Sequence, residues 1–420
     1  MTLGRDTVAS PSKHSGTRET DQRGLILLSM SHMFDDVNQG AIPAMLPFFI
    51  LAHNLSYSAA AGLVLALTVS SSVLQPFLGQ FSDRHSAPWL APAGVFIAGA
   101  GVALSSIMPS YLLIALAIGF SGIGVAAFHP EASRFANYAS GARRATGMSI
   151  FALGGNLGFA VGPALTTSLL LVFGLHGGLF LIVPPVAMAL ILTSQLPRYL
   201  SRAPQSGAGK AAMARATRPD DWGPFVRLTG AVVSRSIIFY GLNTFVPLYW
   251  LNVLHQPEAV GGMALTILFT AGAVGTLLGG WSADRYGRRT VVLVSLVMLS
   301  VVLGVFVSIH DVALLTALLV PLGMTLNASS SVMVVMGQEY LPNRIGTASG
   351  VTMGLAVSVG GFAAPFLGHV ADSSGIPAVF NLLVFLPLLA IAFAATLPRG
   401  GQRSGSSGRP QPGPAPTGAA

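Results

Sequence analysis

The chain of 420 residues contains no cysteine, and Asp, Glu, Lys and Arg together make up only 9% of it. The lack of cysteine excludes a disulfide framework and a thiolate metal centre. The shortage of charge excludes more. Soluble proteins carry about a quarter of their residues as charges. A globule of this length, 52% hydrophobic, could not cover itself in water with so few. Bases outnumber acids, 22 to 14, for a formal net charge of +8. Such an excess can mark a nucleic-acid binder, but these bases sit in loops between apolar runs, so no nucleic acid is expected. There is also no nucleotide-binding loop, no metal spacing and no nucleophile with a nearby base. Nothing points to an enzyme, a metal or a cofactor.

What is there in quantity is apolar sequence, in continuous runs of about 20 residues. Runs of that length read as membrane helices rather than barrel strands, since each span must satisfy its own backbone hydrogen bonds in lipid. Twelve spans are predicted, at 24–51, 58–81, 88–107, 110–134, 144–173, 177–196, 225–252, 259–282, 290–309, 311–338, 344–371 and 376–397. Forty-nine glycines suit close helix packing in lipid.

The loops after odd-numbered spans carry His53, His176, His255, Glu258, Asp311 and Asp372, but no lysine or arginine. The even-numbered loops and both tails carry nearly all the bases. By the positive-inside rule both termini are cytoplasmic. Residues 1–23 read as a disordered cytoplasmic tail with no cleavable signal. Residues 24–196 and 224–397 form two six-helix halves. Residues 197–223, with Arg198, Arg202, Lys210, Arg215 and Arg218, form a cytoplasmic linker. Residues 398–420, rich in Gly, Pro and Ser, form a second disordered tail.

The halves repeat one another. Gly280-Trp281-Ser282-Ala283-Asp284-Arg285-Tyr286-Gly287-Arg288-Arg289 has a worn copy in Gly79 to Pro88, where Asp83 and Arg84 match Asp284 and Arg285. Asp83 and Asp284 are 201 positions apart, and Pro163 and Pro365 are 202 apart. An acid at one helix end and arginines at the next can bridge neighbouring helix ends and hold one face of a bundle shut. Two short charged loops alike by chance are the bland alternative. Two halves related by an axis along the membrane normal would enclose a cavity.

Ionisable groups at membrane depth are costly and are functional candidates by default. In the first span His32, Asp36, Gln39 and Pro43 follow spacings of four, three and four, which put them on one helical face. Asp35 lies close to that face. Asp36 stands about twelve residues in, roughly 18 Å at 1.5 Å per residue, too deep for a helix cap. A carboxylate in a poorly hydrated cavity can take and release a proton near neutral pH, and His32 one turn away can share that work. The fourth span ends in Phe128-His129-Pro130-Glu131-Ala132-Ser133-Arg134. There Glu131 and Arg134 can pair three residues apart, either as an interfacial helix end or as part of a gate. Their counterpart in the other half is Gly337-Gln338-Glu339, followed by Arg344. Arg235 lies about ten residues into the seventh span, with Asn243 two turns further on the same face. An arginine there is either paired with Asp36 or Glu131, locking the bundle, or free to hold an anionic substrate. Asn156, Asn327 and Gln75 are weaker candidates. Gly155, Gly158 and Gly162 read as packing positions. Phe239, Phe245 and Trp250 are possible shapers of a pocket.

The paired loops resemble the signature between helices 2 and 3, and 8 and 9, of the major facilitator superfamily. Several stretches are similar to one branch, the fosmidomycin-resistance proteins. They are Ser31-His32 with Asp36 and Gln39, Gln75-Pro76, Phe128 to Arg134, Ser149 to Pro163, and Gln338-Glu339 with Leu341-Pro342 before Arg344-Ile345-Gly346. The resemblance spans all twelve helices and fails only in the tails and linker. It implies an all-helical membrane fold and a monomer that works by alternating access. It also implies an antiporter, driven by the proton gradient, that exports small drug-like or anionic compounds, with efflux of a phosphonate antibiotic as the pattern. Uptake of an organic anion with a proton is the alternative. Asp36, His32, Asp35 and Glu131 would then couple protons. Arg235, Gln39, Asn243 and Asn156 would meet the substrate. Gly79, Asp83, Arg84, His129, Arg134, Gly280, Asp284, Arg285, Gly287, Arg288, Arg289, Glu339 and Arg344 would gate. The first loop departs from the family pattern, with Ser86 and Ala87 where the second has Gly287 and Arg288, so a lock resting on the second half is expected.

Overall fold

The computed structural model describes residues 20–85, 87–141, 144–201, 219–342, 344, 347, 348 and 350–398. The first half runs α1 (Gln22–His53), α2 (Tyr57–His85), α3 (Leu90–Ser105), α4 (Tyr111–Ser140) and α5 (Arg144–Phe173), then a 3-10 segment (Gly174–Ile182) and α6 (Val183–Leu200). The second half runs α7 (Trp222–Asn252), α8 (Glu258–Tyr286) and α9 (Arg288–Ser308). Its tenth span is α10 (Val312–Ala328) with α11 (Ser330–Tyr340), and its eleventh is a π-helical turn (Gly350–Leu355) with α12 (Ala356–Ser374). The last span is α13 (Ile376–Leu383) with α14 (Leu386–Ala395).

Nine stretches among the described residues are long and apolar enough to cross a membrane, and one of them, Gly147–Leu200, holds two spans. The shorter apolar α3 adds another. The remaining span, α1, is 32 residues long, but His32, Asp35, Asp36, Asn38 and Gln39 interrupt its apolar run. The total is the twelve expected. Helix ends overrun the apolar runs where no breaker stands. The fourth span continues to Ser140 and stops at Gly141, whose φ of 56° suits glycine. The sixth continues to Leu200 rather than 196. Most of the linker and both tails lie outside the described residues.

Large apolar side chains such as Leu116, Val172 and Leu190 stand 60%, 72% and 68% exposed. A bundle that turns such residues outward is built for lipid, not water. The inner packing shows the repeat at atomic scale. The Asp21 amide donates to the Ala139 carbonyl at 2.7 Å, and the Asp221 amide donates to the Tyr340 carbonyl at 2.7 Å. These pairs are offset by 200 and 201 positions. Each half therefore pins the start of its first span to the end of its fourth.

The halves meet where α2 packs on α12 and α5 on α8. On the face opposite the basic loops, Asp372 of α12 reaches across to α2. Its Oδ1 accepts from the Tyr57 amide at 2.7 Å, and its Oδ2 accepts from the Ser58 amide at 3.0 Å and the Ser58 hydroxyl at 2.5 Å. Gly368, one turn earlier, sits so close that a Cβ there would fall 2.6 Å from Ser58 Cα. On the basic face, the ion pairs among the described residues stay within one half: Arg198 with Asp21, Arg134 with Glu131, Arg288 with Glu339, and Arg344 with Asp220.

Candidate functional site

Between the halves lies a cavity of about 360 Å³. One wall comes from the first half, with His32, Asp36 and Gln39 on α1, Gln75 on α2, His129 on α4 and Asn156 on α5. The facing wall carries Arg235 and Tyr240 of α7 and Asn327 of α10. Phe159, Phe239 and Phe269 form an aromatic corner from three helices, with ring centroids 5.6–6.4 Å apart.

The first wall depends on the approach of α1 to α5. A Cβ on Gly155 would fall 2.5 Å from Asp36 Oδ2 and 2.6 Å from His32 Cε1, and one on Gly158 would fall 2.8 Å from Asp36 Cβ. Only glycine lets the two helices come so close around these side chains. The His32 ring stacks on Phe151 at 4.3 Å, and its Nδ1 lies 2.9 Å from the Phe151 carbonyl.

Asp36 is the hub. Gln39 Nε2 donates to its Oδ1 at 2.5 Å. His32 Nε2 lies 3.2 Å from its Oδ2, and His129 Nε2 lies 3.5 Å from its Oδ1. The two histidine Nε2 atoms are 3.2 Å apart. A carbonyl only accepts, so the contacts of His32 Nδ1 with Phe151 and of His129 Nδ1 with Val125, both 2.9 Å, place a hydrogen on each Nδ1. A hydrogen bond between the Nε2 atoms needs a further hydrogen on one of them. Such a hydrogen would make that ring an imidazolium beside Asp36. Without it, two lone pairs and a carboxylate would face one another.

His32, Asp36 and His129 each offer a ligand atom within 4.8 Å of the others, a reach that suits a small cation. The two imidazoles lie beside different oxygens of Asp36.

Asp35, one residue before, turns away from the cavity and is fully buried. His129 Nδ1 lies 3.4 Å from its Oδ2, yet neither carboxylate oxygen has a hydrogen bond. Sequence reasoning placed His129 at a gate. The structure sets it between Asp35 and Asp36, a relation that spacing along one helix cannot reveal.

Arg235 lines the cavity with no acid paired to it among the described residues, and its buried Nε has no partner there. Of the two readings of this arginine, the pair with Asp36 or Glu131 is not formed. Glu131 instead bonds Arg134 and the Ser82 hydroxyl, and Arg134 also bonds Ser82. Glu131 is buried and does not line the cavity. Asn243 is also displaced from its expected place. It is 3% exposed, and its Oδ1 has no partner. Eight residues at 3.6 per turn leave it about 80° around the helix from Arg235. Gln39, Asn156, Asn327 and Gln75 do reach the cavity. Of the three aromatics, Phe239 lines it, while Phe245 and Trp250 are wholly buried. Sequence reasoning missed Tyr240, Phe159 and Phe269, since nothing in one helix distinguishes them from packing aromatics.

At the repeated loops, the side chains of Asp83 and Arg84 lie outside the described residues. A Cβ on Gly79 would meet Pro130 at 3.5 Å, and one on Gly280 would meet nothing. In the second loop Gly287 turns with φ 88°. Asp284 is exposed. Arg285 lies over the Trp281 and Tyr286 rings, each at 5.8 Å. Arg288 pairs with Glu339, and Arg289 Nη2 donates to the Ala395 carbonyl at 2.7 Å. Arg344 pairs with Asp220 at 3.4 Å and lies over Trp222.

The family model of the Major Facilitator Superfamily matches residues 28–365 and 228–418. An uncharacterised MFS-type transporter, YfnC, of Bacillus subtilis is 32% identical over 378 residues, 87% of this chain and 91% of that one. The fosmidomycin resistance protein of Escherichia coli is 29% identical over 370 residues, 87% of this chain and 90% of that one. Among solved structures, a bacterial homologue of the human lysosomal transporter Spinster, inward-facing and occupied, superposes with a TM-score of 0.75. It shares 15% identity and covers 90% of this chain and 97% of its own. A D-xylose-proton symporter superposes with a TM-score of 0.67 at 17% identity, covering 89% and 96%. Twelve spans in two repeats around one polar cavity, with these matches along the chain, make it a member of the Major Facilitator Superfamily, a transporter and not an enzyme.

Proposed function

We propose that the chain is a proton-coupled antiporter that exports a small anionic compound, of the fosmidomycin type, from the bacterial cytoplasm by alternating access. The observation that carries this reading is the pairing across one cavity of a close trio, His32, His129 and Asp36, with an arginine that has no acid partner among the described residues. A cation left without a counter-ion at membrane depth is costly, and an anionic substrate supplies what Arg235 lacks. The basic loops and both termini face the cytoplasm, and the carboxylate tie of Asp372 closes the outer face. The cavity then receives substrate from inside. After the halves rock, a proton entering from outside reloads the trio. Coupling requires that substrate and proton favour different states.

Inside-out vesicles with a pH-sensitive dye test this. Adding fosmidomycin, or another small phosphonate or carboxylate, to energised vesicles should let protons leave the lumen, and Asp36→Asn should abolish the response. Accumulation of the labelled anion by right-side-out vesicles down a proton gradient, with no release in the first assay, would instead establish uptake with a proton.

A further inference from the structure

We infer that Asp35 is a sealed proton store that exchanges with the cavity only through the His129 imidazole. The inference rests on the proton-coupled reading above and assigns that site a second proton. Asp35 is 0% exposed, and neither of its oxygens has a hydrogen bond. An ionised carboxylate buried without donors is among the costliest groups a fold can hold, and here it sits one residue from a second carboxylate. Something must neutralise it, and between it and the cavity stand Asp36 and His129, which line the wall that Asp35 does not reach.

His129 connects the two acids. Its Nε2 is 3.5 Å from Asp36 Oδ1 and its Nδ1 is 3.4 Å from Asp35 Oδ2. One ring therefore faces the cavity acid with one nitrogen and the buried acid with the other. The Nδ1 hydrogen is shared with the Val125 carbonyl at 2.9 Å, so a small turn of the ring moves it toward Asp35. The transfer balances. A proton from the cavity binds His129 Nε2 and makes an imidazolium. The Nδ1 hydrogen then passes to Asp35 Oδ2. This leaves a neutral acid and a neutral ring with its hydrogen on Nε2. Release runs the same steps backwards. The other ionisable groups facing the ring are Asp36 and His32 of α1, with Arg235 and Tyr240 of α7 across the cavity.

The consequence is a cycle that can hold one proton in the cavity trio and one behind it. Infrared difference spectroscopy of the purified full-length protein tests this without reference to transport. The wild type should show a protonated-carboxyl band in neutral buffer that is lost in Asp35→Asn. In His129→Asn the band should remain, but its hydrogen–deuterium exchange should slow, on the order of a hundred-fold, the scale of a positioned acid–base group. An unchanged band in Asp35→Asn, or equally fast exchange in His129→Asn, would overturn the proposal. Thermal unfolding of each variant guards against a trivial loss of fold, and Asp35→Glu, which keeps a carboxyl, should retain a shifted band if the site is real. The vesicle assay can fail while the band behaves as described. The antiport reading would then fall and the store would stand as a property of the fold.

Discussion

Asp372 caps the first turn of α2 from the other half of the molecule. The amides of Tyr57 and Ser58 have no partner within their own helix, and Asp372 accepts from both. The helix dipole adds to the attraction. The next amide, Ala59, is served locally by the Ser56 hydroxyl at 3.1 Å, so the cross-half contact is an addition to a helix start that can also stand alone. Water can replace Asp372 when the halves part. The contact therefore suits a closure that must open again.

Asp372→Asn should loosen this closure without unfolding the protein. The exposed, charge-assisted contact contributes about 0.3–1 kcal/mol, so the balance between closed and open outer faces should move roughly two- to five-fold. A cysteine placed at the half-buried Ala59 in this cysteine-free chain, labelled with a membrane-impermeant maleimide, reports the shift. Equal labelling rates with Asp372 and with Asn would remove the latch.

Gly155→Ala should damage the proton site while the rest of the bundle persists. The added methyl would lie 2.5 Å from Asp36 Oδ2 and 2.6 Å from His32 Cε1, and overpacking of this kind costs about 1–3 kcal/mol. A lowered unfolding temperature together with lost proton-coupled flux is expected. Full flux in Gly155→Ala would mean that the spacing of α1 and α5 at this point does not matter.

Asp36→Asn should preserve the fold, because asparagine has nearly the same volume and still accepts from Gln39. Proton-driven flux should fall to the level of unprogrammed leakage, while binding of an anion at Arg235 persists. Substrate binding to purified protein, followed alongside flux in vesicles, separates the two. Unimpaired flux would remove Asp36 from the mechanism.

Arg235→Ala should weaken anionic substrates far more than neutral ones. A hydrogen bond to a charged group contributes about 1.5–3 kcal/mol, so an anion should lose on the order of ten- to a hundred-fold in affinity. Arg235→Lys should recover part of it. Equal loss for anionic and neutral compounds would favour a purely structural arginine.

The sequence alone determined the number of spans, the repeat and the place of Asp36 within the first span, because these follow from hydrophobic run length, the position of arginines and the fixed rise per residue of a helix. The same logic set the glycines of the fifth span apart as packing positions, and their contact with Asp36 agrees with it. Tertiary structure decided everything that depends on rotation about a helix axis or on contact between helices distant in sequence. Asp35 and Asp36 are neighbours in the chain, yet one is sealed in the bundle and the other faces the cavity, since each step turns the helix by about 100°. Arg235 and Asn243 parted for the same reason. His129 lies more than ninety residues from Asp36, and no local periodicity could set its ring between two carboxylates of another helix. The packing of α4 against α1 put it there.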